Sequence, residues 1–572
     1  MPSRSRFPLL ALSVLATAIG CSDGSPADPP VEDSGAMDTG ALPDTGESDT
    51  PTDTGTPADT NVEDTPTDAG KGTDLGFRPK PDGFGFENYG TGAPVTNLTA
   101  TDMKRLFGGA ACVSATAATC VLTPPAAEWM DRQNAGMGGG HCEGMAALSL
   151  LFYTGKQSVT DFGSVTATHD LSLTGNEKLQ REIAYWFVTQ ATEPTAGGEI
   201  RTLTPVEVVD KLQEGLAKGA PETFTMGIYQ RGPKAGHAIT PYKVDLTASP
   251  IKVFVYDNNF PGEERVLEVD KDKNTWRYFA STSPSVPGSE YEGDATTKTL
   301  TLTPTSNRLK PQDCPFCGEV KADGSVKGST FSYRQITLNG KANLLVSDDA
   351  TGKKLGFQAG SLVSEIAGAR YVTPKSKDLW NDDQEPMYLL PFGTDLTVTL
   401  DGSLLGSVES STVTMVAPGV IFEVDEVMLD AGQKDTIKLS KDNLRMVYKT
   451  VAKESPVLYA GVTVDGDADW FFAIKGYGET AGQEISLQFD LVKKRLVIKL
   501  LGADVSADFD IIAVRSDDAG SQTFTHSGNG AKPTDTMYLD YGAWSGDGTP
   551  MKLEIDTNGD GTPDMSVDLT DT

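Results

Sequence analysis

Histidine is scarce in this chain of 572 residues: only His141, His169, His237 and His526 are present. Imidazole chemistry has few places to reside. Bases are in deficit too, with 48 Lys and Arg against 80 Asp and Glu, a formal net charge of −32. That balance argues against nucleic acid as a partner, because phosphate binding needs a basic face. It suits a soluble, exported chain that repels its own copies. Long apolar runs are also missing. The run 9-LLALSVLATAI-19 is too short to span a bilayer, and no other stretch is apolar enough to try. The length exceeds one ordinary core, so two to four domains and a tail are expected.

What is present begins with an address. Arg4 and Arg6 precede the apolar run, which reads as the h-region of a signal peptide over 1–21. The run ends in 18-AIGC-21, which resembles a bacterial lipobox, with Ala18 where leucine is usual. The resemblance implies that Cys21 is acylated and becomes the mature N-terminus. Ser22 follows it, and in Gram-negative lipoproteins a residue other than Asp there implies sorting to the outer membrane. The membrane is then reached through the lipid anchor only. Residues 22–75 are mostly Asp, Thr, Pro, Gly, Ser and Ala, with almost nothing to bury. The sequence predicts a disordered acidic linker over 22–84.

A first folded domain is expected over 85–305. A helix starts at Cys142, with Met145, Leu148 and Phe152 on one stripe, and a second covers 176–190. In 204-TPVEVVDKLQEGLAKG-219, Thr204 caps, Pro205 sits at N1 and Glu207 completes a capping box. Alternation then predicts strands at 223–230, 237–246, 251–257, 264–270 and 275–279. Helices first and an antiparallel sheet afterwards is an α+β arrangement. A CxxC junction occupies 306–327. Short alternating runs beyond it predict two all-β sandwich-like domains, 328–455 and 456–572.

Six cysteines divide unevenly. Cys112 and Cys120 close a short loop, and Cys314 with Cys317 forms the CxxC, so each couple is expected as a disulfide in an oxidising compartment. With Cys21 lipidated, Cys142 is left over. It stands where the glycine loop 136-GMGGGHC-142 runs into a helix. A thiol attacks only as thiolate, and the unpaired N–H groups of a helix's first turn stabilise that anion and can hold an oxyanion. The plain alternative is a small core residue beneath a loop. His237 opens a strand and could take the thiol proton; Asp257 or Asn258, at the end of the next strand, could orient the imidazole.

Together, 138-GGGHCEGMAALSLLF-152, 236-GHAITPYKV-244 and 253-VFVYDNNFPGEER-265 resemble a papain-like cysteine peptidase domain, over about 95–305. The likeness is greatest to the divergent bacterial branch that includes peptidases cutting double-glycine leaders. It implies Cys142 as nucleophile, His237 as base and Asp257 or Asn258 as orienting residue. It also implies a peptide or protein substrate and no catalytic cofactor. The family's oxyanion glutamine, six residues before the cysteine, is Gly136 here; Gln133 or His141 would have to serve. Transglutaminases and amidases share this layout, so the acyl acceptor stays open. The rival expectation is a non-catalytic surface adhesion lipoprotein on a degenerate papain-like scaffold. Finally, Asp556, Asn558, Asp560 and Asp564 in 556-DTNGDGTPD-564 resemble the calcium loops of thrombospondin type 3 and dockerin modules, which implies a structural Ca²⁺. The bidentate Glu at loop position 12 is absent; Val567 stands there.

Overall fold

A computed structural model describes residues 72–572 apart from 115–117, 231–235, 376–384, 477–480, 502–506 and 533. The signal peptide, Cys21 and the linker up to 71 lie outside the described residues. The described chain is a mixed α/β region followed by long antiparallel sheets.

The α/β region starts earlier than the sequence suggested. Residues 72–84, expected in the linker, form β1 (Gly72–Asp74), which pairs with the far end of a central strand, and α1 (Pro79–Asp82), a single turn. Leu75, Phe77 and Phe84 behind it are buried. Three apolar side chains in a short, mostly polar segment suffice when the sheet supplies the other half of the contact.

The helices are α2 (Ala100–Phe107), α3 (Pro124–Gly136), α4 (Cys142–Tyr153), α5 (Glu177–Val188), α6 (Pro205–Gly215) and the short α7 (Thr305–Arg308). The α6 capping box forms as its sequence dictates: the Thr204 hydroxyl accepts from Glu207 N–H, and the Glu207 carboxylate accepts from Thr204 N–H at 2.7 Å. The helix stops at Gly215, four residues before the glycine expected to end it. α4 is buried along almost its whole length, because it runs between α5 and the sheet. Gly144 makes the α4–α5 crossing this close: a Cβ there would lie 2.1 Å from the Ile183 carbonyl oxygen. Gly144→Ala should therefore destabilise the fold by about 1–3 kcal/mol through overpacking. Calorimetry checks this as a lowered Tm, and an unchanged Tm would contradict it.

The sheet runs β7 (Ser289–Asp294), β6 (Thr275–Ala280), β5 (Glu264–Asp270), β4 (Ile251–Tyr256), β3 (Gly236–Asp245), β2 (Phe224–Tyr229), β8 (Leu300–Pro304), all antiparallel. β2 is buried on both faces, and so is β3 over most of its length.

Beyond 328 the described strands build two antiparallel sheets that face each other across one core running from Val320 to Leu569. The boundary expected at 455/456 falls inside both sheets. Val420–Leu429 pairs with Val457–Val462 in one, and Arg445–Lys449 pairs with Glu484–Asp490 in the other. The two β segments thus share continuous sheets, since each leaves an open strand edge that the next strand covers. The junction packs α3 onto this sandwich: Phe316 lies against Trp129, whose indole donates to Gln335 at 3.1 Å. Cys112–Cys120 and Cys314–Cys317 are bonded, and Cys142 is free and buried.

Candidate active site

Three elements bring the sequence's catalytic candidates together. Cys142 is the first residue of α4, entered from Gly140, whose φ of +135° only glycine adopts readily. His237 is the second residue of β3. Asp257 directly follows β4, the neighbour of β3. All three side chains are fully buried.

His237 Nε2 lies 2.7 Å from Asp257 Oδ1. The carboxylate is fixed further by Asn259 N–H at 2.9 Å on the same oxygen and by the Tyr278 hydroxyl at 2.5 Å on the other. With Nε2 committed, Nδ1 is the nitrogen left; it is buried and makes no hydrogen bond. The Cys142 sulfur is, after Asp257, the other side chain that favours the protonated ring. It also accepts a long hydrogen bond from Ala238 N–H at 3.4 Å. Burial alone would lower the His237 pKa, but Asp257 and the Cys142 sulfur overcome it and push the imidazole up to about 10. Burial likewise opposes ionising Asp257, and the His237 charge and the Tyr278 hydroxyl hold its carboxyl below the usual range.

Asn258 does different work. Its amide donates to the Cys142 carbonyl at 3.1 Å and the Ala238 carbonyl at 3.0 Å. It pins the start of α4 to β3. The choice between Asp257 and Asn258 as the imidazole's neighbour thus falls to Asp257 in this geometry, as alternation along the extended chain requires.

The two expected oxyanion donors are elsewhere. His141 stacks on Tyr89, with Nδ1 2.8 Å from the Tyr89 carbonyl and Nε2 2.9 Å from Asn97 Oδ1. Burial lowers its pKa to about 4, and both ring nitrogens face these oxygens. Gln133 sits on α3 and lines a cleft of about 440 Å³ between the glycine loop and the sandwich, whose lining does not include Cys142.

Sequence reasoning missed a buried charge network beside the thiol. Glu143, next to Cys142, pairs with Arg308 of α7. Lys375, from the sandwich, places Nζ 2.9 Å from Glu199 and 3.8 Å from Glu143. Burial opposes ionising Glu199, yet the charges of Lys375 and Arg201 hold its carboxyl down to about 2. The one signal available was Glu143 itself, a lone acid in an otherwise apolar helix; its partners lie far along the chain.

The C-terminal acidic loop is a self-bonded turn. Asp556 Oδ1 accepts from Asn558 and Gly559 N–H, and Oδ2 accepts from Gly561 N–H. The Asn558 amide donates to Asp564 at 3.2 Å, and its oxygen accepts from Asp560 N–H at 2.8 Å. Among the described residues no group of three or more His, Cys, Asp or Glu is arranged to hold a metal, and no helix is long and apolar enough to cross a membrane. Compared with protein-family models, with curated proteins and with solved structures, the chain matches none of them.

Proposed function

We propose that the α/β region is a papain-like cysteine hydrolase that cleaves a peptide or amide through a thioester on Cys142. The observation that supports this reading is the burial of thiol, imidazole and carboxylate together, with His237 Nε2 on Asp257 and Nδ1 without a hydrogen bond. In the reaction the Cys142 proton already resides on His237 Nδ1 when the sulfur attacks the carbonyl carbon, as the raised pKa of the ring requires. The N–H groups of the first turn of α4 support the oxyanion. The imidazolium returns the proton to the leaving amine, and the thioester remains. A water, deprotonated by His237, then releases the acid and restores the thiol. Turnover of a peptide or amide that disappears in Cys142→Ala is the test.

A second reading is a non-catalytic surface-binding lipoprotein, with the β sandwich as its working part. The full burial of Cys142, His237 and Asp257 is the observation in its favour. Retained surface binding, together with no turnover in either wild type or Cys142→Ala, would select it.

The anchor belongs to the same proposal: an exported lipoprotein of a Gram-negative outer membrane or cell surface, held by acylated Cys21. Acyl chains supply about 0.8 kcal/mol per buried CH₂. Cys21→Ser should therefore move the protein from the membrane fraction to the soluble one. Continued membrane retention would refute the anchor. A structural Ca²⁺ at 556–564 would have to displace hydrogen bonds that these side chains now make within the loop. Bound calcium would stabilise the folded state by mass action, and chelation should then lower the Tm of the full chain. An unchanged Tm leaves the loop a turn.

A further inference from the structure

The sandwich sends one segment into the α/β region, and it is held there as a bound peptide would be. The segment is 372–375. Val372 and Pro374 line the cleft beside the glycine loop, while Lys375 points inward. Lys375 forms a parallel bridge with Gly236, the residue before His237. The Gln190 side chain grips its main chain at both points: Lys375 N–H donates to Oε1 at 2.8 Å, and Nε2 donates to the Lys375 carbonyl at 3.4 Å. Main-chain pairing at a strand end plus one buried side chain is how an extended peptide is recognised.

The side chain has a fitted channel. Its stem crosses β2 at Gly227, where a Cβ would lie 3.0 Å from Lys375 Cδ and 2.5 Å from Thr301 Oγ1. Any residue other than glycine would narrow this passage. At the end, Nζ meets Glu199 at 2.9 Å, Thr303 Oγ1 at 3.5 Å and Glu143 at 3.8 Å. Glu143 Oε2 is buried and makes no hydrogen bond. Neutrality does not require the lysine. Glu143 already has Arg308 and Glu199 already has Arg201, both from the α/β region. Lys375 is the third cation, and the sandwich contributes it. The channel also adjoins the nucleophile: Gly227 pairs across the strands with Ala238, which packs on Cys142.

We propose that Glu199, Glu143 and the gap at Gly227 form a binding pocket for a primary ammonium side chain, filled in the closed chain by Lys375, and that a lysine-bearing segment of the substrate takes the same place. The substrate part of this rests on the cysteine hydrolase reading; the pocket does not. Segment 372–375 then competes with substrate, and the closed site opens when it is displaced.

The test uses the full chain carrying Cys142→Ala, so that binding is read without turnover. Lys375→Ala is added, and calorimetry compares N-acetyl-lysine methylamide with its norleucine analogue. Preference for the lysine probe by at least about tenfold is expected, because a buried polar site rejects an analogue that leaves it unpaired. Glu199→Gln should erase that preference. A folded Lys375→Ala protein that does not distinguish the probes overturns the proposal and makes Lys375 a structural ion pair. Should Lys375→Ala fail to fold, Lys375→Ser decides instead. It also vacates the channel, and it too should bind the lysine probe preferentially. Absence of preference there overturns the pocket equally. Because every protein in the test lacks the thiol, loss of the hydrolase reading would leave this result standing, and the reverse.

Discussion

Cys142→Ala and His237→Ala should each lower turnover of a peptide or amide by about 10⁴-fold or more, and the double variant should lose little beyond either single one. The reason is that neither group acts without the other. The thiol needs Nδ1 to take its proton, and the imidazole has nothing to activate once the sulfur is gone. Both side chains are fully buried and small changes there need not unfold the domain, because Ala238 and Ala146 already pack on Cys142. Circular dichroism and Tm separate a lost nucleophile from a lost fold. Independent losses that multiply in the double variant would contradict a shared proton transfer. Full activity in folded Cys142→Ala would end the enzyme reading.

The second large effect concerns Asp257. Asp257→Asn should reduce turnover by about 10⁴-fold, because the amide that replaces the carboxylate can donate to Nε2 and hold the imidazole in the wrong tautomer. It should also change how His237 titrates. The imidazole's folded pKa stands at about 10, above its ordinary 6.5. A raised folded pKa means that this ionisation stabilises the fold fully below about pH 6.5, and that the contribution is lost as pH rises through about 10. Removing the carboxylate charge leaves burial, which favours the neutral ring, and the pKa must fall. NMR of the imidazole should show His237 protonated at pH 8 in wild type and losing its proton at lower pH in Asp257→Asn. Identical titrations would show that Asp257 does not set the charge. Asn258→Ala should leave the titration nearly unchanged, because that amide holds two backbone carbonyls and not the ring.

These positions were legible in the sequence to different degrees, for physical reasons. β4 to β6 follow alternation with small boundary shifts, because residues there face a core and solvent in turn, whereas β2 and β3 are buried on both faces. Cys142, His237 and Asp257 could be found because each sits at the end of a strongly patterned element. Residues 72–84 could not be separated from the linker: their few apolar residues make sense only against a sheet formed some 170 residues later. The division at 455/456 misled because alternation shows that a strand exists and not which strand it pairs with. Lys375, Gln190 and Arg308 carry no local signal at all. Their chemistry appears only when a sandwich segment, a helix end and a turn after β8 meet beside α4.

The most direct measurement of the central claim is the rate at which iodoacetamide alkylates Cys142 at pH 7, compared between wild type and His237→Ala by intact mass and peptide mapping. Both proteins keep the same covering segment, so the ratio isolates the base. A wild-type rate at least about tenfold higher is expected if His237 draws the proton from the thiol. Equal rates in the two proteins would contradict the account.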